Sequence, residues 1–116
     1  MNWISLTSIA DLEKAVETSA TPLFKSIAIF KHSTHCPVST IAKKRLVSEW
    51  NFGNELPVYY LDLIEYRSVS NQIAEQFNVR HESPQILIIK DGKCIYHASH
   101  ISISAKEIEK VLNNEK

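Results

Sequence analysis

The residue types best able to do chemistry lie together in Lys31-His32-Ser33-Thr34-His35-Cys36-Pro37-Val38-Ser39. A cysteine attacks only as the thiolate, so the question is what would ionise Cys36. The first turn of a helix offers unpaired N–H groups and a partial positive charge, and both favour the thiolate. Pro37 suits a first helical position, where a missing N–H costs nothing. Ser39 is placed to donate a hydroxyl hydrogen bond to the sulfur. His35 is adjacent, His32 is close in sequence, and Lys31 and Lys43 are further cations within range. Such surroundings bring a cysteine pKa from about 8.5 toward roughly 3.5–7.5. Buried, inert cysteines are common, but Cys36 follows polar and small residues and opens a helix instead of sitting in an apolar stripe.

The elements around it follow from periodicity. Ile27-Ala28-Ile29-Phe30 is a short apolar run that predicts a buried strand over about Ser26 to Lys31. Val38, Ile41, Ala42, Leu46 and Trp50 predict one inward face of a helix from Pro37 to about Asn51. Upstream, Trp3-Ile4-Ser5-Leu6 predicts a first strand. Ser8 and Asp11 form a variant capping box ahead of Ile9, Leu12, Ala15 and Val16. Downstream, Pro57 to Leu63 predicts a strand rich in Val and Tyr, with Tyr59 and Tyr60 on alternate faces. Ser68 caps a helix bearing Val69, Ile73 and Phe77. Gln85–Lys90 and Lys93–His97 form a hairpin on Asp91-Gly92. Ser104 and Glu107 box a last helix with Ile108, Val111 and Leu112 inward. The order β-α-β-α-β-α-β-β-α predicts an α/β fold: a mixed central sheet with helices on both faces, parallel where crossovers join strands and antiparallel at the closing hairpin.

Composition narrows the function. The 116 residues, read as one domain over 1–116, suffice for a real core, and 13 basic against 13 acidic side chains give zero formal charge. No basic block points to nucleic acid or to an anionic membrane. No apolar run nears the ~18 residues of a membrane span. The N-terminus carries no secretory signal pattern. Two cysteines make no disulfide framework, which fits a cytoplasmic, reducing setting. Two glycines exclude a Gly-rich phosphate loop. The five histidines lack a recognised zinc spacing apart from the His97 and His100 pair, so no metal is expected. Asp62 and Glu65 read as a solvated strand end, and His81 is near the approach to Pro84.

Cys36 at the exit of the second strand, with Ser83-Pro84 opening the strand before a hairpin, resembles the thioredoxin fold. The form of the motif narrows this. Thr34-His35-Cys36-Pro37-Val38-Ser39 resembles the T-C-P-I-S region of YtxJ-like monothiol bacilliredoxins, with His35 where that family often has Thr. Trp3-Ile4-Ser5-Leu6 and Ser83-Pro84-Gln85 are similar too. Thioredoxins carry a second cysteine where this chain has Ser39, Trp where it has His35, and a buried acid where it has Phe30. The resemblance implies a cis Pro84 beside Cys36. It also implies an enzyme that removes bacillithiol, a low-molecular-weight thiol, from client protein cysteines without a bound cofactor. On that reading Cys36 and Ser39 are catalytic. His35, Pro37, Ser83 and Pro84 shape the substrate groove, and a second small thiol or another redoxin regenerates Cys36.

Two rival readings differ in class. A monothiol glutaredoxin would use glutathione, but its C-G-F-S motif and Gly-Gly pair are absent. A non-catalytic adaptor of the same fold would not need Cys36. Cys94 is not expected to resolve Cys36. It would pair near Ile89, five residues along the strand from Pro84, or roughly 16 Å at ~3.3 Å per residue. A disulfide needs Cα atoms about 4.4–6.8 Å apart.

Overall fold

The computed structural model describes residues 1–114. Five strands and four α-helices follow in the expected order: β1 (Trp3–Ser5), α1 (Ile9–Ser19), β2 (Ile27–His32), α2 (Pro37–Glu49), β3 (Val58–Asp62), α3 (Arg67–Phe77), β4 (Gln85–Lys90), β5 (Lys93–Ser99) and α4 (Ala105–Asn114). A 3-10 turn over His100–Ser102, not expected from the sequence, precedes α4. The sheet order is β1-β3-β2-β4-β5. β1 and β2 pair with β3 in parallel, whereas β4 is antiparallel to both β2 and β5. This is the mixed sheet that crossovers followed by a hairpin require.

β2 sits at the centre and is buried along its whole length. Its residues alternate between two cores, as the period of a strand demands. Ile27 and Ile29 join Leu12 and Ala15 of α1 and Val69, Ile73 and Phe77 of α3. Ala28 and Phe30 join Ala42 and Leu46 of α2 and Ile108 of α4. Tyr59 and Tyr60 divide between the same two cores. The turn between β4 and β5 has φ of 51° at Asp91 and 75° at Gly92. Two successive positive φ values are what the hairpin turn built on Asp-Gly needs. A register shift follows, so that Tyr96 opposes Ile88 and Cys94 opposes Ile89.

Several local expectations are corrected. In α2 the buried residues are Ser39, Ala42 and Leu46, while Val38 is 43% and Ile41 65% exposed. The helix is rotated so that the small hydroxyl, not the two aliphatic chains, faces the sheet. Leu46 is fully buried and anchors the helix; truncating such a side chain to Ala costs about 2–5 kcal/mol. Ile9 is 40% exposed, because α1 turns only Leu12, Ala15 and Ser19 fully inward. Ser8 caps α1 by accepting from Asp11 N–H, but the Asp11 carboxylate accepts from the N–H and hydroxyl of Thr7, one residue before the cap. α3 begins at Arg67 with Tyr66 at its N-cap and no side-chain cap, so Ser68 lies inside the helix. The preceding turn is closed by the Asp62 carboxylate, which accepts from Ile64 and Glu65 N–H. Asp62 is thus tied to backbone at its strand end. In α4, Ile108 is buried and Val111 and Leu112 are half-buried.

Candidate functional site

Cys36 is the N-cap of α2. Its backbone is extended, with φ −105° and ψ 117°, and Pro37 opens the helix. Its N–H donates to Ser33 O at 3.3 Å and its carbonyl accepts from Thr40 N–H at 3.1 Å. A tight turn over Ser33–Cys36 therefore carries the chain from β2 onto the helix. The side chain is free of disulfide and half-buried. It takes no hydrogen bond from the first turn. An N-cap side chain is nonetheless the one that faces the unpaired first-turn N–H groups, here those of Val38 and Ser39. His35 and Pro37 are exposed on either side of it.

Ser39 is fully buried. Its Oγ accepts from Ser33 N–H at 3.1 Å, which ties the turn to the helix. Among the described residues no hydrogen bond joins Ser39 to the sulfur, so the expected donation to Cys36 is replaced by this tie. Ser33 Oγ in turn accepts from His35 N–H at 3.3 Å.

The second wall comes from the far side of β2. The Ser83–Pro84 peptide is cis. Lys31 pairs with Gln85 in the β2–β4 register, so Pro84 stands opposite His32, at the strand end where the chain departs for Cys36. Pro84 is buried, and its carbonyl accepts from His100 N–H at 3.0 Å. Ser83 Oγ is buried without a partner among the described residues. Gln85 holds the loop by donating to Arg80 O at 3.0 Å. Cys94 lies at the other end of β4, opposite Ile89, as the strand arithmetic required. Burial pushes its thiol upward from the usual range, and its Sγ sits 3.3 Å from Tyr96 O. A groove lined by Leu23, Phe24, Phe52, Leu56 and Leu112 lies near the start of β2, away from Cys36.

The sequence model described as monothiol bacilliredoxin BrxC matches residues 4–108. The chain belongs to this family. Its fold is also that of thioredoxin. A solved structure described as a candidate oxidoreductase with a thioredoxin fold is 28% identical, over 94% of this chain and 92% of that one, with a TM-score of 0.80. Fasciola hepatica thioredoxin matches at 18% identity over 97% and 99%, TM-score 0.71. The thioredoxin of Nicotiana alata matches at 18% over 98% and 92%, TM-score 0.72. No helix among the described residues is long and apolar enough to cross a membrane.

Within this bacilliredoxin site, the cations expected beside Cys36 are placed elsewhere. Lys43 extends over the rings of Tyr60 and Trp3, at 4.8 and 5.6 Å. Lys31 is fully buried and projects to the opposite face of the sheet, where Nζ meets His81 Nδ1 at 2.9 Å. Its ammonium must donate there, so His81 accepts and is neutral at Nδ1. Ser70 Oγ is 3.3 Å from the same nitrogen. Burial lowers Lys31 to about 8 against the opposing pull of Glu82, whose carboxylate accepts from the Ser99 hydroxyl. Burial, then Lys31 and Arg67, lower His81 as well. His81 thus belongs to the loop before Pro84, but it serves Lys31.

His32 is not the loop residue expected from sequence. It ends β2 and is 3% exposed, with its ring against Phe30 and Tyr60 at 5.7 and 5.5 Å. Strand alternation was the available signal: a residue two beyond Phe30 shares its face. Val38 and Ile41 were placed inward by sequence, but instead form exposed apolar surface on the helix that carries Cys36.

Proposed function

We propose that this bacilliredoxin is a monothiol thiol–disulfide exchange enzyme that strips bacillithiol, or a similar low-molecular-weight thiol, from protein cysteines. One arrangement carries the reading. A free, half-buried cysteine caps α2 across from a cis-proline loop, has Ser39 where a second thiol would resolve it, and is separated from Cys94 by the length of β4.

The chemistry follows from that arrangement. Cys36 reacts as the thiolate, and as the N-cap of α2 it faces the first-turn N–H groups, which suit an anion. The thiolate attacks the small-thiol sulfur of a mixed disulfide. The bond to the client sulfur breaks, the client thiol departs, and the small thiol stays on Cys36. Because Ser39 cannot displace it, a second small thiol, or another redoxin, must attack the adduct and restore Cys36. Pro84 leaves the Ser83 backbone to hydrogen-bond the substrate, and the exposed His35 and Pro37 form the opposite lip. No cofactor is required. Clients modified by the small thiol and the thiol itself are the partners, and a reducing cytoplasm is the compartment in which the cycle runs.

Intact mass spectrometry tests the proposal. A client protein carrying bacillithiol on one cysteine is mixed with the enzyme. Wild type should regenerate the free client and gain the small-thiol mass on Cys36, whereas Cys36→Ser should do neither. An adaptor would bind the client with either variant and release nothing, which would sink the proposal. Release from bacillithiol-modified and glutathione-modified clients at equal rates would leave thiol exchange but remove the preference for bacillithiol.

A further inference from the structure

His32 presents a problem that the thiol site does not solve. Its Nδ1 is buried and has no hydrogen-bond partner among the described residues. A polar atom left so costs about 1–3 kcal/mol, and an apolar ring of similar size would fill the same space between Phe30 and Tyr60. Exceptions of this kind call for a specific explanation. The groups facing the imidazole are few. Asp62 of β3 lies directly beside it in register. Tyr60 of the same strand packs on its ring, and Lys43 and the Ser39 backbone approach from α2. Burial and then Lys43 favour the neutral ring, while Asp62 and the Ser39 backbone favour the imidazolium. The ring is on the α2 face of the sheet, under the first turn, and the strand that bears it runs straight into the Ser33–Cys36 turn. Ser39 Oγ also lies on that face. Its oxygen already accepts from Ser33 N–H, and a hydroxyl that accepts can also donate its one proton.

We propose that His32 is the proton relay of the thiol site, exchanging one proton with Cys36 and with the departing client sulfur through a single intervening hydroxyl or water. This rests on the exchange chemistry proposed above. The Cys36 thiol gives its proton to the neutral imidazole, and Asp62 steadies the resulting cation. The thiolate forms a new S–S bond to the small thiol. The old S–S bond breaks with both electrons going to the client sulfur, and that thiolate takes the proton back from His32. Bonds made equal bonds broken, no net proton or electron is gained, and no further oxidant or reductant takes part. His32 touches neither sulfur directly, so it is a positioning residue for the proton.

The test uses the dependence on leaving group. An aliphatic cysteine thiolate leaves poorly and benefits from a proton, whereas an aryl thiolate of low pKa leaves unaided. Single-turnover rates are measured at pH 7 for wild type and His32→Asn with two probes: a peptide cysteine in mixed disulfide with a small thiol, and dithiobis(nitrobenzoate). His32→Asn should slow the peptide reaction by about 10–100-fold, at the lower end of general acid–base contributions, and change the aryl reaction less than about 2-fold. Equal slowing of both, or of neither, would overturn the relay. If wild type itself releases no peptide, the exchange function fails instead. A second measurement does not depend on turnover or on a folded His32 variant. The His32 ring is titrated by NMR in wild type and in Cys36→Ser. A shared proton requires the His32 midpoint to move when the thiol is removed, and an unchanged midpoint would also overturn the relay.

Discussion

The two faces of the central sheet are built from the same materials to different ends. Each holds one half-buried cysteine and one buried titratable residue from the end of β2: Cys36 and His32 on the α2 face, Cys94 and Lys31 on the α1–α3 face. Lys31 and His32 are neighbours in sequence and are sent to opposite sides by the strand. On the α1–α3 face most polar groups are matched, Gln85 Oε1 being left without a partner among the described residues. Lys31 meets His81, His81 is near Ser70, and the Cys94 sulfur has a backbone carbonyl beside it. On the α2 face, among the described residues, a nitrogen of His32 has no hydrogen-bond partner and the sulfur of Cys36 takes no capping hydrogen bond. Matched groups hold a fold together. A half-buried sulfur left open at the surface, and a buried nitrogen left open on the same face, are available for chemistry.

The most severe way to break this comparison is to ask whether the two thiols react alike. Iodoacetamide at pH 7, followed by peptide mass mapping, should modify Cys36 at least about 100-fold faster than Cys94, given a sulfur at a helix N-cap on one side and a thiol whose ionisation burial opposes on the other. Equal rates would mean that the helix mouth does nothing for the sulfur.

The α2 face was easier to find in the sequence than to describe. Cys36 before Pro37, the Asp91-Gly92 turn and Ser83-Pro84 are local signals, each confined to a few adjacent residues, and each stands where it was expected. The distance of Cys94 from the site also followed, because strand length is simple arithmetic. The phase of α2 did not. Val38 and Ile41 are apolar and Ser39 is not, so the periodicity pointed the wrong residues inward; the small buried hydroxyl is explained only by Ser33 N–H, which it meets across the turn. His32 looked like a loop residue and Lys31 like a strand-end cation near Cys36, because both are polar. Their burial depends on His81, fifty residues away, and on Phe30 and Tyr60. No local pattern encodes a partner at that separation. The cap of α3 misled for a related reason: Ser68 has the right side chain, but the Asp62 carboxylate had already closed the turn before it.

A smaller effect should come from Lys31. Replacing a buried charge by an apolar chain of similar shape is often neutral or stabilising by about 1–4 kcal/mol, and Lys31→Met should gain about 1–3 kcal/mol at pH 7 by urea unfolding. The sign of the pH dependence follows from burial. The folded amine loses its proton at about 8 and the unfolded one near 10.5, so between those values the unfolded state binds more protons and wild-type stability rises with pH. The penalty is fully present below pH 8 and is relieved toward pH 10.5. The advantage of Lys31→Met should therefore shrink over that window. An advantage constant with pH would show that the amine does not titrate there. A loss of stability at pH 7 would show that the bond to His81 outweighs the burial of charge.

The smallest effect belongs to Cys94, and it bears most directly on the difference between the faces. If this thiol only packs against the α1–α3 core, Cys94→Ala should leave client release unchanged and cost about 1 kcal/mol or less at pH 7, since the residue is only partly buried. Burial raises its pKa in the folded state above the ordinary 9.0. As pH climbs past that value the unfolded thiol ionises first, the folded state then binds more protons, and wild-type stability falls. The alanine variant lacks this loss. Its deficit should narrow steadily from pH 8 to pH 10 in parallel unfolding experiments. A deficit that stays fixed would mean that the Cys94 thiol ionises alike in both states, and the contrast between a reactive face and a packed one would then rest on Cys36 alone.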